Sequence, residues 1–142
     1  MQIGNVVSNP IDVLDRITKT IILSRRVVGL GNSVDTLYDT YQVPVGRKAV
    51  LASARILVAV KTALVTPTAM DIRLSITVPP AGPSRFLALT TMQSVVGQFI
   101  YGSSDPGFIL QPLETVDFRT LLTVAGGTVD IEYSVLINEF SP

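Results

Sequence analysis

Apolar and polar residues alternate with a period of two through much of this chain, most regularly in MDIRLSITV, residues 70–78. Met70, Ile72, Leu74, Ile76 and Val78 fall on one side and Asp71, Arg73, Ser75 and Thr77 on the other, as a strand with one wet face requires. The segment TVDIEYSVLINEF, residues 128–140, repeats the pattern, with Val129, Ile131, Tyr133, Val135 and Ile137 expected inside and Asp130, Glu132, Ser134 and Asn138 outside. In KAVLASARILVAVKT, residues 48–62, Val50, Ala52, Ala54, Ile56, Val58 and Val60 share one face. Leu51, Ser53, Arg55, Leu57 and Lys61 share the other, which is only partly polar.

Further strand-like runs lie at residues 20–28 (TIILSRRVV), 36–43 (TLYDTYQV), 86–102 (one strand or two) and 115–124 (TVDFRTLLTV). Turn residues separate them: VGLGNS at 28–33, VPVG at 43–46, TPTA at 66–69, PPAGPS at 79–84 and SSDPG at 103–107. PPAGPS is too rich in proline for a ladder, and Gly126-Gly127 signals a tight hairpin. Only the beginning of the chain differs. Asn9, Pro10 and Asp12 make a helix start, and Ile11, Leu14 and Ile17 recur at helical spacing, which predicts a short helix over residues 10–17 or else an extended arm.

About eight amphipathic strands without βα alternation predict an all-β fold, an antiparallel β-sandwich of Greek-key or jelly-roll type. The chain divides into an N-terminal arm, residues 1–18, and a sandwich domain, residues 19–142.

Composition sharpens this picture. Apolar residues make up 47% of the 142 and charged residues 15%, against about a quarter in ordinary soluble domains. The apolar runs 49–54 and 56–60 are interrupted by Arg55 and Lys61, far short of the roughly 20 residues of a spanning helix, so no membrane partner is expected. The first residues lack the cationic region and continuous apolar core of a signal peptide. Eleven basic residues balance eleven acidic ones, so no field draws the chain to nucleic acid. Eight of the cations are arginine, whose planar fork suits protein interfaces.

Candidate chemistry is sparse. Cysteine and histidine are absent, which removes thiolate and imidazole metal ligands and the base of an ordinary serine triad. VGLGNS lacks the third glycine of a dinucleotide loop, and strand pattern follows it where a helix would be needed. The carboxylate pairs Asp12/Asp15 and Asp35/Asp39 match no calcium loop and read as solvated surface acids. Neither an enzyme nor a cofactor is expected.

Arg25-Arg26, inside an apolar strand, is the notable exception. Adjacent strand residues point to opposite faces, so one of the two must face inward, cross an interface or lie beyond the sheet edge. Charge defending an edge strand is one reading; pairing of one arginine with a carboxylate on a neighbouring chain is the other. The candidate interface residues are Arg25, Arg26, Arg47 and Arg55, with Ile3, Val6 and Val7 on the N-terminal arm.

Leu37-Tyr38, then YQVPVGRKAV at 41–50, resembles small tailed-phage virion proteins, in which an aromatic strand runs into V-P-A-G-K-x-A and a long alternating strand. Leu113–Val116 and the closing Val129–Val135 correspond to later pieces of that pattern, so the resemblance spans residues 37–140. It implies a capsid decoration or cement protein on the virion surface, a homo-oligomer with a trimer favoured, bound to the major capsid protein or other virion proteins. A tail, neck, baseplate or receptor-binding component is the alternative it leaves open, and a carbohydrate-binding module stands further off because tryptophan is absent.

Overall fold

In the computed structural model, residues 17–78, 83–90, 94–97, 99–104, 107 and 109–141 are described. Their strands are β1 (Ile17–Leu30), β2 (Ser33–Gln42), β3 (Lys48–Val65), β4 (Ala69–Thr77), β5 (Pro83–Leu89), β6 (Phe99–Ser104), the two-residue β7 (Ile109–Leu110), β8 (Thr115–Thr123) and β9 (Gly126–Phe140). The described residues are all-β, as the period-two pattern predicts. The helix expected at 10–17 lies outside the described residues except at Ile17, which already begins β1. The expected arm boundary at residue 18 therefore falls inside that strand.

Two antiparallel sheets form the sandwich. The first runs β1-β9-β3-β6, with β7 also on β3, and the second runs β2-β8-β4-β5. The pairings β1–β9, β2–β8, β3–β6 and β4–β5 nest inside one another, which is the winding of a jelly roll. Apart from β4–β5, successive long strands lie in opposite sheets. Most turns read from the sequence are therefore corners between sheets.

Gly126-Gly127 is such a corner, which corrects the expected hairpin: β8 belongs to the second sheet and β9 to the first. The Val124 amide donates to Asn32 Oδ1 at 3.1 Å and the Ala125 amide to the Val65 carbonyl at 2.8 Å, carrying the chain across. The VPVG corner does the same between β2 and β3. Gly46 takes a φ of +79°, and the Arg47 amide closes the turn on the Pro44 carbonyl at 3.2 Å. The region 86–102 resolves into β5 and β6, in different sheets. Pro83, expected in a loop, pairs with Thr77; β5 is an edge strand, where a missing amide donor is tolerated.

The faces match expectation for β4, where Met70, Ile72, Leu74 and Ile76 are buried, and for the inner residues of β9. On β3 the phase needs correction. Ala49 and Leu51 are buried ahead of a register shift between Leu51 and Ser53, and Ala54, Ile56, Val58 and Val60 are buried after it. An extra residue in one strand reverses the side on which later side chains fall, so Val50 and Ala52 leave the core face. The centre of the core is a ring stack from opposite sheets, Phe118 of β8 on Tyr133 of β9, with centroids 3.8 Å apart.

Candidate interface

The register separates the predicted arginines. Arg25 lies opposite Tyr133, so it is on the inner side of β1, at the edge of the first sheet. Its guanidinium grips Asp39 of β2 through Nε–Oδ2 at 2.9 Å and Nη2–Oδ1 at 3.2 Å. One arginine of the pair thus faces inward, and its carboxylate is on the same chain, closing the gap between the edges of the two sheets. Such a part-exposed pair contributes about 0–1 kcal/mol.

Arg26 points outward on the first sheet and lies 3.6 Å from Asp130, which also accepts the Gly29 amide at 2.9 Å. Asp130, expected outside, is consequently buried. Arg55 sits near the middle of the same outer face, exposed, with Ser134 of β9 and Ser103 of β6 directly opposite on either side. Ser53, Ser103, Ser134 and Tyr101 complete a shallow depression around it.

Arg47 is elsewhere, at the VPVG corner, where it donates to Thr18 Oγ1 at 2.5 Å. Beside it the Tyr41 hydroxyl donates to Glu139 Oε2 at 2.5 Å. Burial first, then this hydrogen bond and the Glu139 charge, push the Tyr41 ionisation up, with Arg47 acting in the opposite sense. Ile3, Val6 and Val7 lie outside the described residues. The structure therefore brings Arg26 and Arg55 onto one face and assigns Arg25 and Arg47 to intrachain contacts.

Apolar side chains frame that face. Ile22 of β1 lies opposite Leu136 of β9, and Leu57 of β3 opposite Tyr101 of β6. Ile22 and Tyr101 are 66% and 57% exposed, surface that water covers only at a cost.

The outer face of the second sheet is different. Arg73 and Arg119 lie opposite one another, both reach Asp35, at 3.8 and 3.6 Å, and Arg73 also pairs with Asp71. The acids of the Asp35/Asp39 pair are thus ion-paired, which corrects their reading as merely solvated. Asp117, buried on this same face, accepts hydroxyl hydrogen bonds from Thr40 at 2.6 Å, Thr77 at 2.7 Å and Thr115 at 3.2 Å. Alternation alone signalled only that these residues face outward; their convergence comes from strand order.

Among the described residues no group of three or more acids, histidines or cysteines gathers as a metal site would need. Neither a family model, nor a curated protein, nor a solved structure matches the chain.

Proposed function

We propose that this chain is a non-enzymatic virion structural protein, a decoration or cement protein that stabilises a phage head through subunit–subunit contacts, with the major capsid protein as its partner. The observation that carries the reading is the exterior of the first sheet, where Ile22 and Tyr101 stand exposed around an Arg55 without a counter-ion among the described residues. Exposed aliphatic, aromatic and arginine side chains gathered on one rigid sheet have the composition of a protein-binding surface. The jelly-roll winding supports the reading by analogy, since viral capsid domains use it; lectins do so too. The motif at 41–50 supplies the phage connection.

Attachment would work mechanically. A standard interface buries about 1,600 Å², and several copies held together in one oligomer act jointly, so modest individual contacts hold by avidity. A homo-oligomer follows from this logic, and the favoured trimer derives from the resemblance.

Particles assembled from the genome that encodes the chain, purified and quantified by mass spectrometry, test the proposal. A decoration protein is expected in amounts comparable to the major capsid protein. Recovery at a small fraction of that amount would move it to the tail or baseplate, and absence from the particles would overturn the virion reading.

A further inference from the structure

The outer face of the first sheet has a hydroxyl-rich half with a single cation and a half of mixed charge, where Arg26 and Lys61 stand with Asp130 and Glu132, the two halves meeting along β3 and β9. Arg55 stands in the first, among Ser53, Ser103 and Ser134. Glu132 stands in the second, exposed beside Asp130. Because Ser134 lies opposite Arg55, Glu132 is the diagonal neighbour of Arg55, about 7–8 Å away by strand geometry. Among the described residues neither has an ion-pair partner. Arg26, directly across from Glu132, is turned to Asp130 instead.

We infer that a second copy of this chain covers this face, in a two-fold dimer that sets Arg55 of each protomer against Glu132 of the other. A two-fold axis parallel to the sheet, lying above the midpoint of the two residues and perpendicular to the line that joins them, sets each over its counterpart on the other copy, so a single operation neutralises both charges on both copies. A two-fold interface demands this self-complementarity, whereas a three-fold ring needs two different surfaces that fit one another. The Ile22–Leu136 and Leu57–Tyr101 pairs add apolar contact around the charges.

Extent is adequate. Four strands about 4.8 Å apart, paired over about nine residues of about 3.4 Å each, make a face of roughly 19 by 30 Å. That is on the order of 600 Å² in projection, close to the roughly 800 Å² per partner of a standard interface. The second sheet offers no equivalent among the described residues, because Asp35 and Asp71 already take up Arg73 and Arg119.

The dimer rests on the assembly reading only in taking this face as an interface; it gives the face to a sister chain, leaves the capsid contact to the remaining surface, and replaces the trimer that the resemblance favours. Sedimentation equilibrium of the full chain at micromolar concentration should give twice the chain mass. Arg55→Glu and Glu132→Arg each oppose like charges twice per dimer and should weaken association at least about 30-fold. Mixing the two variants, or combining both changes in one chain, should restore it, an outcome that damage to the fold cannot mimic. A wild-type monomer or trimer, or reversals that fail to rescue one another, would overturn the dimer. A monomer abundant on particles would sink the dimer and spare the virion reading; a dimer absent from particles would do the reverse.

Discussion

Gly127→Ala should destabilise the fold about twice as much as Gly46→Ala, although both glycines occupy the left-handed region, at φ +96° and +79°. An L-residue held there costs about 1–2 kcal/mol. At Gly46 that is the whole penalty, because an added Cβ meets nothing within 4 Å. At Gly127 the Cβ would stand 2.4 Å from the Ala63 carbonyl oxygen, 2.8 Å from Leu64 Cα and 2.9 Å from the Ala63 carbonyl carbon. All three atoms are backbone of β3, so no rotamer change relieves the clash. β9 must withdraw from β3 by about 1 Å where it enters the first sheet, and overpacking of this kind adds about 1–3 kcal/mol. The expected totals are about 2–5 kcal/mol for Gly127→Ala and about 1–2 kcal/mol for Gly46→Ala. With about 2–4 °C lost per kcal/mol for a chain of this size, Tm should fall by about 10 °C and about 4 °C. Urea unfolding of both variants at one protein concentration, with m unchanged, is the appropriate assay. Equal shifts, or a Gly127→Ala midpoint within about 1 kcal/mol of the parent, would refute the close approach of β9 to β3.

Tyr133→Phe should leave stability unchanged or raise it by about 1 kcal/mol, because the Tyr133 hydroxyl is buried without a hydrogen-bond partner among the described residues; a clear loss in the same urea assay would mean that the hydroxyl is satisfied. Tyr41 should ionise above the ordinary tyrosine value near 10 in an ultraviolet titration of the folded chain, its ionisation raised by burial and by Glu139. Above that pH the unfolded chain releases the Tyr41 proton and the folded one retains it, so this contribution to stability is complete below about pH 10 and lost as pH rises through the folded value. Tyr41→Phe should flatten the alkaline decline, and an unchanged slope would count against the Tyr41–Glu139 contact.

The alternation of Met70 to Val78 and of Val129 to Ile137 sufficed to identify strands and most of their buried faces, because a half-buried strand leaves a strictly local imprint. Events that depend on a neighbouring strand left weaker traces. The phase change in β3 follows from the register shift beside Ala52 against β9, and nothing in AVLASARIL distinguishes alanines before the shift from those after it. Gly126-Gly127 carried the composition of a hairpin, yet the packing of β8 against β4 and of β9 against β3 sends the chain between sheets instead. Turn residues report that a chain bends; which layer it enters next is decided by where its apolar faces find cover.

The same distinction governs the candidate interface. Alternation places Arg55 and Arg73 alike on wet faces, and by sequence they are equivalent. Strand order separates them. β8 brings Arg119 opposite Arg73, and Asp35 answers both, so that face resolves its charges within one chain. β9 and β6 bring only serines opposite Arg55, while Glu132 stays one diagonal step away. An exposed arginine alone is unremarkable, since water solvates it well. An arginine and a glutamate unpaired among the described residues, side by side on a rigid sheet flanked by exposed Ile22 and Tyr101, form a surface whose polar and apolar requirements would be met together by the proposed second copy.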